Sequence, residues 1–185
     1  GMRKGSYPTF HPQAAYSEQD PEQVFITTLY VLNNFLNELV HPQKYKVQAV
    51  CFCAAMHSLL AVDKNGRPLG NAVIWADNRA INQANAIRKG PARAEIYENT
   101  GTPIHPMSPL AKIAWLQQQD PERFQQAYKF ISLKEYIILQ LTGEYLVDHS
   151  IASSTGLFDI HQLVWNEQSL RFAGIDKDRL STPVS

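Results

Sequence analysis

Between residues 20 and 39 the apolar positions Val24, Phe25, Leu29, Leu32, Phe35, Leu36 and Leu39 return close to every 3.6 residues, the period of a helix with one buried face. The segment opens on Asp20-Pro21-Glu22: an N-cap, a proline at the first helical position and an acid in the first turn. This spacing predicts a helix that lays its apolar face on a sheet. Residues 46–55 (KVQAVCFCAA) are then almost unbroken apolar, and so short a run reads as a strand covered on both faces. Residues 59–62 and 72–75 flank DKNGRPLG, whose Asn65-Gly66 marks a tight turn, so the two runs predict a hairpin. From Asn78 the texture becomes helical. Segments 78–89, 92–98, 109–119, 121–128, 133–141 and 166–173 carry helical spacing or cap residues. Asp120-Pro121-Glu122 repeats the earlier start, and Thr142-Gly143 supplies a stop. Strands followed by a run of helices predict an α/β fold, with a strand-and-helix sheet layer over residues 1–77 and a mainly helical part over 78–185.

Composition narrows the class. With 44% apolar and 18% charged residues in 185, the chain can build one domain core, or part of a larger one, and is not a disordered segment. Seventeen basic residues balance seventeen acidic ones, so no long-range field draws it to nucleic acid or to an anionic membrane. No apolar run reaches eighteen residues and no signal-peptide core is evident, which leads to the expectation of a cytoplasmic protein. Cys51 and Cys53 would share one face of the predicted strand as reduced core residues, not as a disulfide or a metal site.

The glycines are scattered, and neither a Walker loop nor a dinucleotide fingerprint is present. Ser153-Ser154-Thr155-Gly156 has the residue types of a phosphate-binding turn but lacks a preceding strand. No nucleophile elbow, His-x-x-x-His or Cys-x-x-Cys pattern occurs. No nucleotide-binding or metal-binding residue is therefore expected within the chain.

Polar groups converge elsewhere. Met56 and His57 lie just beyond the predicted strand's C-terminal end, where ligands of open α/β sheets sit. The hairpin's second run delivers Trp75, Asp77, Asn78 and Arg79. The loop TGTPIHPMSP, with three prolines and Met107, has the stiffness of a wall. Trp75 could equally be core, Asp77 a helix cap, Arg79 a partner of Asp77, His57 a satisfied interior histidine and Met107 loop packing. Taken together, an aromatic face beside Asp, Asn, Arg and His has the composition of a polyol site.

Four pieces, AAYSEQDPEQVF, AAMHSLLAVDKNGRPLGNAVIWADNRA, TGTPIHPMSPLAKIAWL and SLKEYIILQLTGEYLVDHSIASSTGLFDIHQLVW, resemble in order the FGGY family of carbohydrate kinases. The four pieces resemble the first half of a gluconate kinase or xylulose kinase, and WADNRA with GTPIHPMSP is more similar to the gluconate kinases than to the glycerol kinases. The resemblance implies the sugar-binding N-terminal part of a ribonuclease H-like, actin-like fold. It also implies an enzyme that uses ATP and Mg²⁺ to phosphorylate a hydroxyl of a small sugar or sugar acid, gluconate first and xylulose next. It assigns Met56, His57 and Trp75 to the sugar pocket. Asp77 and Arg79 complete the W-x-D-x-R motif, with Arg79 a candidate for a sugar-acid carboxylate, and Met107 stands where glycerol kinases place a substrate-contacting Tyr. Asp148 and Ser150 fall near the site without a catalytic role. On this resemblance the phosphate-binding strands, the aspartate base and the nucleotide-binding domain lie outside the chain. The isolated segment is then expected to bind no cofactor, to lack kinase activity and to satisfy its open sheet edge as a homodimer or strand-swapped assembly. The rival reading is a non-catalytic, kinase-like interaction or regulatory domain.

Overall fold

The computed structural model describes residues 2–39 and 46–185; the side chain of Leu39, part of the first apolar spacing, lies outside the described portion. The elements follow in the order β1 (Glu18–Gln19), α1 (Pro21–Leu39), β2 (Leu60–Val62), β3 (Ala72–Val73), α2 (Ile81–Lys89), α3 (Arg93–Thr100), α4 (Pro109–Gln119) and α5 (Pro121–Gln126). Then come β4 (Lys129–Ile131), α6 (Leu133–Thr142), β5 (Leu146–Asp148), α7 (His149–Ser153), β6 (Phe158–Asp159), β7 (Val164–Trp165), α8 (Glu167–Ala173) and β8 (Thr182–Val184). The strands pair two by two: β1 with β3, β2 with β4 and β6 with β7 antiparallel, and β5 with β8 parallel. The pairing of Leu60 with Ile131 crosses position 78, so strand and helix intermix along the chain.

The hairpin forms as its turn chemistry dictates. Leu59 and Val73 exchange both backbone hydrogen bonds at 2.8 Å, and the Asp63 carboxylate accepts from the Asn65 and Arg67 amides inside the turn. Gly66, at φ 76°, occupies the left-handed region that a β-carbon penalises. Alternation along this strand serves two cores. Leu59 and Ala61 enter one with Ile113 and Phe130, while Leu60 and Val62 enter another with Ile131 and Tyr136. Through the first core runs α4, buried at Leu110, Ala111, Ile113, Ala114 and Leu116.

Two expectations are corrected. Residues 46–55 form no strand, and Val47 and Val50 are about half exposed. A strand exists through its neighbours' hydrogen bonds, and among the described residues after α1 pairing resumes only at Leu59. Cys51 and Cys53 are consequently free and exposed, not core. The α1 helix buries Val24 and packs Phe25 onto the core of Leu60, Val62, Ala72 and Ile131, edge-on to Tyr136 of α6, so its apolar face meets both strands and a helix.

Candidate functional site

Beyond β3 the chain turns sharply, the Asp77 amide donating to the Ile74 carbonyl at 3.1 Å. That turn leaves Trp75 58% exposed, its indole lining a cavity of about 330 Å³ together with Met56, Ser58 and Lys134. The inner wall is apolar, with Val24, Phe52, Ile74 and Ile137, and Lys134 is the one cation among the described residues lining it. The volume lies at the small end of the range for small-molecule sites. The sequence-expected pair Met56 and Trp75, nineteen positions apart, thus shares one wall.

His57, next in the chain to Met56, lines not this cavity but a second one that shares Ser58 with it, and its backbone is left-handed, φ 69°, uncommon for a residue other than glycine. Two contacts hold it there. Its Nδ1 bonds the Ser154 carbonyl at 2.9 Å, and its own carbonyl accepts from Lys112 Nζ at 2.6 Å. A carbonyl only accepts, so Nδ1 carries the proton and Nε2 of the neutral ring is an acceptor. Burial lowers the imidazole's pKa from its usual 6.5, the Ser154 carbonyl opposing and the charges of Lys112 and His105 reinforcing. Near neutrality the ring is uncharged.

Asp77 and Arg79 lie behind Trp75, both buried. Asp77 accepts from the Ser17 amide at 2.7 Å, from the Arg79 amide at 2.9 Å and from the Arg79 guanidinium at 2.8–3.0 Å. The same guanidinium reaches Glu18 at 2.6 Å and lies 3.8 Å over the Tyr16 ring. Burial works against the guanidinium's charge, but the hydrogen bonds to Asp77 and Glu18 outweigh it and raise its pKa. Asp77 is not the cap of α2, which starts after Ala80 without a side-chain cap. The pair instead fastens the N-terminal strand β1 to the β3–α2 turn.

Met107 is half-buried in the turn before α4 and is not among the side chains lining the cavity. The Ser153–Gly156 turn presents three consecutive carbonyls, two of which anchor the Met107 loop and one His57. Ser153 accepts from Thr102 Oγ1 at 2.7 Å, Ser154 from His57 and Thr155 from the Leu110 amide at 3.0 Å. A phosphate needs donors, and here the Ser154 and Thr155 amides donate to the Ile151 and Ala152 carbonyls while the Ser153, Ser154 and Thr155 hydroxyls donate to the Ser150, Ile151 and Ala152 carbonyls, so the turn's donors are spent internally. Asp148 caps α7 through the Ile151 amide and pairs with Lys134 at 2.7 Å. Burial alone would raise its pKa, yet the Lys134 contact and the Ile151 amide hold it below the usual carboxylate value.

Sequence reasoning missed Lys112 and Lys134. Lys112 left one signal, a single cation inside the apolar run PLAKIAWL, and its partners are distant carbonyls that no local pattern announces. Among the described residues no group of three or more His, Cys, Asp or Glu side chains is placed to hold a metal ion. Among them, too, no helix is long and apolar enough to cross a membrane.

The sequence model described as the FGGY family of carbohydrate kinases, N-terminal domain, matches residues 2–185. The gluconokinase of Bacillus subtilis (strain 168) is 42% identical over 178 residues, which is 96% of this chain and 34% of that protein. The xylulose kinase of Staphylococcus xylosus is 30% identical over 171 residues, 92% of this chain and 35% of that protein. The crystal structure of gluconate kinase from Lactobacillus acidophilus superimposes with a TM-score of 0.90 at 32% identity, over 98% of this chain and 36% of that one. The chain spans about a third of the length of the curated relatives it matches.

Proposed function

The chain belongs to the FGGY family of carbohydrate kinases, and from that premise we propose that it is the acceptor-binding part of a kinase that phosphorylates a hydroxyl of a sugar or sugar acid, gluconate foremost. The observation that carries this reading is the shared wall: Met56 and Trp75, from separate turns, face one cavity with a neutral histidine beside them. Trp75 and Met56 cover the C–H faces of the ligand. His57 Nε2 accepts a proton from one of its hydroxyls, a contact that an analogue without that hydroxyl leaves unpaired. Lys134, the cation on the wall, is paired with Asp148 at 2.7 Å and turns its remaining donors to the carboxylate of a sugar acid. Asp77 and Arg79 hold the turn that presents Trp75 and need not touch the ligand; Met107 closes the site from its neighbouring loop.

Family membership implies ATP as phosphoryl donor. Magnesium as its partner, a cytoplasmic setting and self-association of the isolated chain belong to the same proposal. The test is direct: the full-length protein is given ATP and a panel of gluconate, xylulose and glycerol, and phosphorylated product is measured. Gluconate is expected to give the highest kcat/KM, and Lys134→Met to reduce the gluconate value about tenfold more than the xylulose value. Preference for glycerol, or no turnover with any acceptor, rejects the proposal.

A further inference from the structure

Lys112 stands out on α4. It is 1% exposed, its helical neighbours Ala111, Ile113 and Ala114 are buried and apolar, and it forms no ion pair among the described residues. An ammonium carries three donors and no acceptor. All three are used on main-chain carbonyls: His57 at 2.6 Å, Ile74 at 2.9 Å and Val73 at 3.3 Å. Burying such a charge carries a desolvation penalty that its hydrogen bonds must offset, and a methionine would fill the same space without it. What distinguishes the lysine is what it ties together. One carbonyl belongs to the histidine in left-handed conformation, and the other two immediately precede Trp75.

We propose that Lys112 is a positioning residue for the acceptor site: by gripping His57 on one turn and Val73–Ile74 on the other, it sets the spacing between the histidine acceptor and the Trp75 plate. This rests on the reading that these two turns hold a polyol. It assigns Lys112 no contact with the ligand and no part in phosphoryl transfer.

The grip depends on protonation. Burial brings the ammonium down from 10.5 to about 7, the Asp77 carboxylate favouring the charge and the Arg79 guanidinium opposing it. These two face Lys112 from the β3–α2 turn, and His57 faces it from the other side. On losing a proton the amine keeps two donors and gains a lone pair, so one of the three carbonyls is released. Acceptor affinity therefore weakens as pH rises through about 7. His57, its pKa lowered below 6.5, completes its own titration on the acid side of that range.

The experiment uses the full-length protein, wild type and Lys112→Met, with binding measured by calorimetry at about pH 6.5 and about pH 9, bracketing the titration. Wild type is first tested against gluconate and xylulose. Binding of neither overturns the acceptor-site reading and this inference with it; binding of xylulose alone shifts the acceptor and leaves the lysine's role to be decided with xylulose as probe. The expected result is an acceptor Kd that rises about threefold or more in wild type over that interval and stays flat in Lys112→Met, whose Kd is about tenfold weaker at the acid end. The affinity for ATP should change less than about twofold. Equal losses for acceptor and ATP, or an unchanged acceptor Kd in the variant, would overturn the inference. Should the variant fail to fold, the wild-type pH series decides alone: a flat Kd overturns the inference, and a rising one supports it.

Discussion

A histidine with its backbone in the left-handed region costs on the order of 1 kcal/mol or more and persists where neighbours over-determine it. At His57 the neighbours are a lysine on its carbonyl and a peptide carbonyl on its ring. The ring's burial has a pH consequence, which the Ser154 contact opposes without cancelling. The folded pKa lies below the ordinary 6.5, so above 6.5 the neutral acceptor form is present. As pH falls from 6.5 through the folded value, stability from this group is lost, and Nε2, once protonated, is a donor and no longer accepts a hydrogen bond. Gluconate affinity of the full-length protein is expected to drop several-fold on the acid side, at about pH 5.5 against about pH 7, while His57→Gln shows a weaker and flat profile. Calorimetric titration at both pH values checks this. A wild-type affinity that does not move with acid would remove the histidine from the ligand.

At the scale of elements, Glu18, Asp77 and Arg79 join β1 to the β3–α2 turn through a guanidinium laid over Tyr16. Arg79→Lys keeps the charge but loses the planar fork and the stacking. It is expected to lower stability by about 2–4 kcal/mol, read from urea denaturation of the full-length protein, with gluconate affinity changed less than about threefold where the protein remains folded. A large loss of gluconate affinity that spares xylulose would instead put Arg79 on the carboxylate. How much of this scale was legible depended on how local its cause is. The α4, α5, α6 and α8 helices were readable because their starts are written in adjacent residues: Asp120 accepts from the Arg123 amide, and Ser132 and Glu135 form a reciprocal capping box. The hairpin was readable from Asn65-Gly66 for the same reason. Residues 46–55 were misread because apolar character makes a strand possible while distant partners make it real. Short β4 was missed because Phe130 and Ile131 stand between two helical periods that mask them. In the site, Met56 and Trp75 were legible from residue type and from the family resemblance, whereas Lys112 was not, since its role lies in three remote carbonyls.

For the molecule as a whole, residues 46–55 matter most. Val47 and Val50 stand about half exposed in an apolar run whose backbone joins no strand pair, which is a template for another chain. The isolated 185-residue chain is expected to self-associate, and Val50→Lys to shift it toward monomer. Sedimentation velocity across a concentration series reads this out, and a monomer at every concentration would end the idea. A different consequence follows from the Ser153–Thr155 carbonyls, which anchor Thr102, His57 and Leu110 in succession. Two of the three donors there are replaceable only with loss of an anchor, but the third is a main-chain amide that any non-proline residue supplies. Point substitutions at Met56, Trp75 or Met107 would thus retune which polyol is preferred while leaving this chassis intact. Adding or deleting one residue within 153–155 would slip all three moorings at once, so lineages can wander in substrate choice far more easily than in the length of that bend.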